Sequence, residues 1–334
     1  MKKPLFLILM AGVLAGSAFA QVSFSGEAHA GVQFRNPVGD GETITTTHRE
    51  YGAPKFDFTA TVMRENYGVR LDTTFQMTDN PQDHFSLNGI YGWINFLDNS
   101  VRLTVGQMSS PAWVTRLDGR LPEHTLDEIT GFRVEYATPI DGLSVGVAFE
   151  TANYGARQFA EQMIFGANFI HPLFNTVLAY DLGSNGQAIF GFGFTGIPDL
   201  TLGIQLRANN LASWDNEFMH FGALTMHQKI GYRITRPLFV YLIMGQRVFG
   251  TSHLDTGLEF TPGVDFRFTP DLTGIFRMTI DSPDNFSTTN LTLRPTLEYT
   301  LRGPAIFYLE YELHLADMDS VTHTLGFGIT IRAF

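Results

Sequence analysis

From Gln21 onward the chain alternates apolar and polar side chains with a period of two, in segments of about ten residues. Tyr67, Val69, Leu71, Thr73, Phe75 and Met77 fall on one parity, while Arg70, Asp72, Thr74 and Gln76 fall on the other. An extended chain sends these two sets to opposite faces. The split recurs in Leu291, Leu293, Leu297, Tyr299 and Leu301 against Arg294, Thr296, Glu298 and Thr300. It recurs again in Phe307, Leu309, Tyr311, Leu313 and Leu315 against Tyr308, Glu310, Glu312 and His314. One apolar and one charged face over such a length fits a tilted membrane strand.

Short and long connections alternate between these segments. Six short ones carry a proline between apolar runs, at Pro139, Pro172, Pro198, Pro237, Pro270 and Pro304; two more, Glu65-Asn66-Tyr67-Gly68 and Asp98-Asn99-Ser100, have ordinary turn chemistry. Eight turns join sixteen strands. An opening strand (Val22, Phe24, Ala28, Ala30, Val32, Phe34) and a closing one (Leu325, Phe327, Ile329, Ile331) bring the expectation to about eighteen, with sixteen the alternative if a weak segment such as Thr176–Leu182 is not a strand. The predicted fold is therefore all-β: a transmembrane antiparallel up-and-down barrel, which leaves no unpaired sheet edge in lipid. An even count puts both termini at the short-turn, periplasmic end. Pro295 falls on the apolar parity inside a strand and removes a ladder donor, which predicts a bulge there. A soluble sandwich or solenoid would not explain the regular alternation of short and long connections.

The first twenty residues read as a secretory signal: Lys2 and Lys3, an apolar stretch from Leu5 to Ala15, and the small-x-small site Ala18-Phe19-Ala20. The expected division is 1–20 cleaved signal and 21–334 barrel. Beyond Ala20 no apolar run approaches the ~20 residues of a spanning helix. Export together with strands predicts the outer membrane of a diderm bacterium. The 30 Phe and 11 Tyr suit strands and interfacial girdles. Removing Lys2 and Lys3 leaves 20 basic against 33 acidic side chains, which argues against a nucleic-acid partner. With no cysteine, neither a disulfide nor a lipidated N-terminal Cys can form.

The connection Ser109–Thr130 is among the longest and the most charged, with Arg116, Asp118, Arg120, Glu123, Asp127 and Glu128 besides Trp113. Before it stand Tyr91-Gly92-Trp93-Ile94 and Val105-Gly106-Gln107; after it stands Val134-Glu135-Tyr136-Ala137-Thr138-Pro139. Over residues 90–149 this order resembles the Gram-negative general porins, whose Tyr-rich strand, strand ending Gly-Arg-Gln, long loop and Val-x-Tyr-x-Ser-Pro strand follow one another; the Arg between Gly106 and Gln107 is missing here. The resemblance implies a loop folded into the lumen, its acids facing a ladder of wall arginines, and a homotrimer. Arg70, Arg102 and Arg133 lie on the inward parity of three strands flanking that loop, with Asp72 and Glu135 beside them. A transverse field between loop and wall would select solutes by size and charge. The plainer alternatives are a solvated surface loop and arginines paired with Asp72 or Glu135 as lumen structure.

Other motifs carry less. Gly191-Phe192-Gly193-Phe194-Thr195-Gly196 spells a dinucleotide fingerprint, but Leu200, Leu202, Ile204 and Leu206 continue as a strand where that site needs a helix, so the glycines read as lumen-facing. The ten histidines never take metal-ligand spacing, and Asp317 and Asp319 read as a solvated loop, so neither metal nor cofactor is expected. No nucleophile motif points to an enzyme. Of the tyrosines, Tyr180 and Tyr308 are candidates for the inward face. The expected function is passive diffusion of small hydrophilic solutes and ions through a water-filled pore constricted by loop 109–130. The alternatives are a channel specific for a sugar or organic ion, and a surface protein that binds partners through its long loops.

Overall fold

The computed structural model describes residues 21–37, 43–47, 52–77, 84–108, 129–151, 163–183, 186–209, 211, 223–250, 257–282, 288–301, 304–317 and 320–333. Eighteen strands form a closed antiparallel barrel, and one short strand is appended to it. In chain order the wall begins with β1 (Gln21–Pro37), beside which lies the short β2 (Thr43–Thr45). It continues through β3 (Lys55–Met63), β4 (Tyr67–Gln76), β5 (Phe85–Phe96), β6 (Val101–Gln107), β7 (Thr130–Ala137) and β8 (Leu143–Glu150). Then come β9 (Met163–His171), β10 (Phe174–Asp181), β11 (Gln187–Phe194), β12 (Leu200–Asn209), β13 (Ala223–Thr235) and β14 (Leu238–Gly250). The last five are β15 (Leu258–Arg267), β16 (Leu272–Ser282), β17 (Asn290–Thr300), β18 (Ala305–Ala316) and β19 (Ser320–Ala333).

Each wall strand pairs with its neighbours in sequence, and β19 returns to β1 from Gly26↔Ala333 to Pro37↔Thr322, which closes the ring. All eight turns expected from sequence are hairpins at one end of the barrel. Leu97, Asp98 and Asn99 take positive φ (49°, 55° and 67°) in one of them, a conformation that Asp and Asn tolerate better than most residues. Gln21 lies opposite Met63, next to the first short turn, and Ala333 opposite Gly26, so the outer ends of β1 and β19 share that end of the barrel. The weak segment Thr176–Leu182 falls on β10, a full member of the wall.

The two parities separate by environment. Phe24, Val69, Phe75, Val105, Leu178, Ile204, Phe276, Leu309 and Phe327 are all exposed on the outside. Asp72, Thr74, Thr104, Gln205, His227, Lys229, Thr261, Thr296 and Glu310 are buried on the inside. Tyr67, Phe96, Tyr136, Tyr232, Phe266, Tyr299 and Phe307 ring the exterior at the short-turn end; Phe34, Phe75 and Phe85 stand towards the other. So much exposed apolar surface is the inverse of a soluble domain and suits a lipid annulus.

The expectation of a bulge at Pro295 is corrected. The β17–β18 register runs Leu293↔Leu313 and then Thr296↔Glu310, unshifted, with the ladder merely skipping two positions. Pro262 does the same on β15, where pairing with β16 skips from Phe260↔Ile280 to Gly263↔Arg277. In both gaps a lumen-side pair spans the break. Arg294 donates through its guanidinium to Glu312, and the Thr261 hydroxyl donates to Thr279 Oγ1 at 3.0 Å. Side chains thus tie the strands where proline has removed a backbone donor.

Gly106 has φ of 131° inside β6, and a Cβ there would collide with the Ile90 carbonyl. Only glycine accepts that backbone without strain. Substitution Gly106→Ala is expected to destabilise the β5–β6 pairing by about 1–3 kcal/mol. The check is a lowered urea midpoint of the refolded barrel, read as loss of the compact band on an unheated gel.

Candidate functional site: the barrel lumen

The inward parity makes a wall of two kinds. Around β1, β3, β4 and β19 it is densely charged. Arg332 Nε lies 3.0 Å from Glu27 Oε1, and Lys55 Nζ 2.8 Å from Asp57 Oδ2. Arg70 donates from Nε to both Asp72 oxygens at 2.9 Å, and the Thr59 hydroxyl donates to Asp72 Oδ1 at 2.6 Å. Arg133 Nε stands 3.2 Å from Glu135 Oε2 on β7. Two of the three arginines singled out by sequence are therefore engaged by the neighbouring acid. Arg102 instead donates to Asn95 Oδ1 at 2.9 Å and lies 5.8 Å from the Trp93 ring.

Trp93 is a lumen residue that sequence reasoning missed. Its ring lies over Gly68, across the β4–β5 pairing, where any Cβ would collide with it. The alternation around Ile90, Ile94 and Phe96, all exposed outward, was the signal that could have placed Tyr91 and Trp93 inside. Tyr308 is inward as expected, and buried. Tyr180 is not: it pairs with Phe165 and shares the parity of the exposed Leu178, on the outer face. Gly191 and Gly193 lie on the inward parity of β11, opposite Gln205 and Gly203 of β12.

From β8 to β11 the inward wall is mostly small and uncharged, with Ser144, Gly146, Ala148, Ile164, Gly166, Ala179, Ile189 and Gly191, while Glu150 and Asp181 stand on the same parity at strand ends. Ala148, Ile164, Ala179 and Ile189 form one buried cluster with Met108 and Ile129, against which Tyr91 packs. Met108 and Ile129 are each 1% exposed. They are the two described residues that flank 109–128, and the Met108 N–H donates to the Ile129 carbonyl at 2.8 Å. Arg116, Asp118, Arg120, Glu123, Asp127 and Glu128 lie outside the described residues, as do Trp113, Asp319 and Phe334.

A third patch sits on β13, β14 and β16. Phe239 and Tyr241 stack at 5.8 Å between centroids, and the Lys229 ammonium lies 5.9 Å from the first ring and 5.7 Å from the second. Arg233 stands 5.7 Å from Phe239, and Arg277 Nε donates to the Tyr241 hydroxyl at 3.0 Å. Arg233 also lies 3.7 Å from Asp199 Oδ1, and the patch gathers the positive charges of Lys229, Arg233 and Arg277 beside aromatic groups.

No protein-family model matches the chain, and no curated protein matches it in sequence. Solved structures share its shape. OccK2 (OpdF) of Pseudomonas aeruginosa superposes with a TM-score of 0.63 at 14% identity, over 93% of this chain and 97% of that one. A BenF-like porin from Pseudomonas fluorescens Pf-5 gives 0.61 at 12%, over 94% and 99%. A triple mutant of the Rhodopseudomonas blastica porin gives 0.54 at 11%, over 94% and 100%. At these identities the shared property is the fold: a closed strand barrel of the kind porins have.

Neutralising the aromatic-backed cations by the pair Lys229→Met and Arg277→Met is expected to move the reversal potential in a salt gradient towards the cation limit. An unmoved potential would mean that passing ions do not sense this patch.

Proposed function

We propose that this protein is an outer-membrane porin, through which small hydrophilic solutes and ions cross passively down their gradients. The observation that carries the reading is the closed eighteen-strand barrel with an apolar exterior and a charged interior. Barrels of 16–18 strands enclose more space than side chains can fill, so water occupies the rest. The likeness in fold to the BenF-like porin and to the Rhodopseudomonas blastica porin supports it. The short-turn end, with the ends of β1 and β19, would face the periplasm.

The segment 109–128 is read as the main constriction, folded into the lumen. Supporting this, its two flanking residues are seated in an apolar patch on the inward wall, beside Ile164 and Ile189. Apolar groups facing a water-filled pore are unfavourable unless covered. In this reading Asp118, Glu123, Asp127 and Glu128 meet Arg70, Arg102 and Arg133 across the aperture, with Arg116 and Arg120 tuning the field. A second reading, a channel that prefers organic anions, draws on the Lys229–Phe239–Tyr241–Arg277 patch, which offers a flat face and a charge together.

Reconstitution in a planar bilayer tests the function. Stepwise single-channel currents are expected, and folded, purified protein that gives no steps would sink the reading. Deleting Arg116–Glu128 is expected to raise the unit conductance, and an unchanged conductance places that segment outside the aperture. The double substitution Met108→Ala and Ile129→Ala removes the seat, at about 2–5 kcal/mol per side chain, and should give larger, noisier openings. Block of the current by aromatic carboxylates, but not by neutral sugars, would favour the second reading.

A further inference from the structure

The wall of the barrel is not of one height. Six adjacent strands, β6 to β11, hold seven to nine residues each, while β13, β14, β18 and β19 hold twelve to fourteen. Elsewhere among the described residues no two adjacent wall strands are both shorter than ten. Met108, Ile129, Thr151, Leu182 and Gly186 stand just beyond β6, β7, β8, β10 and β11 at the long-connection end, so these strands end within the described residues. All wall strands rise from one rim of short turns, and the low stretch is therefore low at the opposite rim.

At strand rise and a tilt of about 40°, eight residues climb roughly 20 Å and thirteen roughly 33 Å. The apolar band of an outer-membrane barrel is about 25 Å tall. The low stretch falls short of it, and the high one does not. The outward side chains repeat the contrast. On β7 they are Phe132, Val134 and Tyr136, whereas on β18 they occupy every second position from Ala305 to Leu315.

A wall shorter than the hydrocarbon is accommodated by a thinned bilayer, by flanking side chains that reach the headgroups, or by another protein against it. Among the described residues the outward positions of β6–β11 include neither Lys nor Arg, so no long basic side chain reaches out. Thinning would have to hold along six of the eighteen wall strands, at a cost that grows with every ångström. A second copy removes the whole stretch from lipid. The surface is shaped for one. Val145, Val147 and Ala167 are small, and with Tyr136, Phe165, Leu178 and Tyr180 they line a groove of about 470 Å³ across the outer face. Small residues let a neighbouring backbone approach closely.

We infer that the outer face of β6–β11 is where copies of this chain meet in the membrane. The inner face of the same stretch seats Met108 and Ile129, so contact outside braces the wall that carries the segment 109–128 inside. This rests on the reading as an outer-membrane barrel, and the two fail differently. Protein that does not insert refutes that reading, whereas single copies that insert and conduct refute only the inference.

Substitution Ala167→Trp keeps the face apolar, so the barrel should fold, but it obstructs the groove. Leu309→Trp is the control, on β18, nine strands from β9 in the ring of eighteen. Folding is read as the compact band on an unheated gel. Copy number is read by light scattering in mild detergent and by counting bleaching steps of labelled protein in bilayers. The parent and Leu309→Trp should associate, and Ala167→Trp should associate about tenfold more weakly or less. A parent that stays single in bilayers, with lipid alone on this face, overturns the inference. So does Ala167→Trp that folds and associates like the parent. If Ala167→Trp does not fold, cysteines decide, because the chain has none of its own. At least one of Val105→Cys, Phe165→Cys and Leu178→Cys should be joined between copies by a short bis-maleimide, and Leu309→Cys should not. Linkage through Leu309→Cys alone, or through none of the four, overturns the inference equally.

Discussion

A peptide group in hydrocarbon has no water to bond, so each donor and acceptor of a membrane sheet needs a partner within the sheet. The rest of this structure follows from that requirement. It is met by ring closure between Gly26–Pro37 of β1 and Thr322–Ala333 of β19, which joins the two ends of the described chain. Closure fixes an even number of strands when both ends lie at one rim, and it fixes the alternation of faces everywhere at once. A slip of one residue in any strand would turn its phenylalanines into the lumen and its arginines into lipid. The exterior is therefore monotonous, and variation is confined to the lumen and the long connections.

Inside, neighbouring charges occupy one another. Arg70 with Asp72, Lys55 with Asp57 and Glu27 with Arg332 set the shape of the wall as well as its potential. Partly exposed pairs of this kind add little stability, on the order of 0–1 kcal/mol each. Their effect is to spread the charge in compact dipoles around one half of the ring. The inner face of β8–β11, mostly small with Glu150 and Asp181 at its strand ends, is the counterpart, and it is where the chain flanking the longest connection finds an apolar seat.

Much of this was legible in the sequence because a period of two has few alternatives. The eight turns, the eighteen wall strands and the faces of Arg70, Arg102, Arg133 and Tyr308 all follow from parity and turn chemistry. Parity alone misplaced Tyr180, since a tyrosine suits either a girdle or a lumen, and only its pairing with Phe165 decides. Pro295 suggested a bulge because sequence shows the lost donor and not the Arg294–Glu312 pair across the gap. The Lys229–Phe239–Tyr241–Arg277 patch and the filling of the Gly31–Gly328 gap by Tyr308 were invisible for a related reason. Both depend on which residues stand level on separate strands, and that is set by register and not by spacing.

The two proline gaps give the wall a local property that the other seams lack. Between β17 and β18 the strands at Arg294 and Pro295 are fastened from the pore side by a guanidinium and a carboxylate, both partly open to the lumen. Such a fastening is weakened by the same ions that the lumen conducts, because mobile charge screens it. Where the ladder is continuous, backbone hydrogen bonds hold the strands together beside such pairs, as at Glu27 and Arg332. Here the stiffness of the cylinder depends on the salt of the fluid that flows through it.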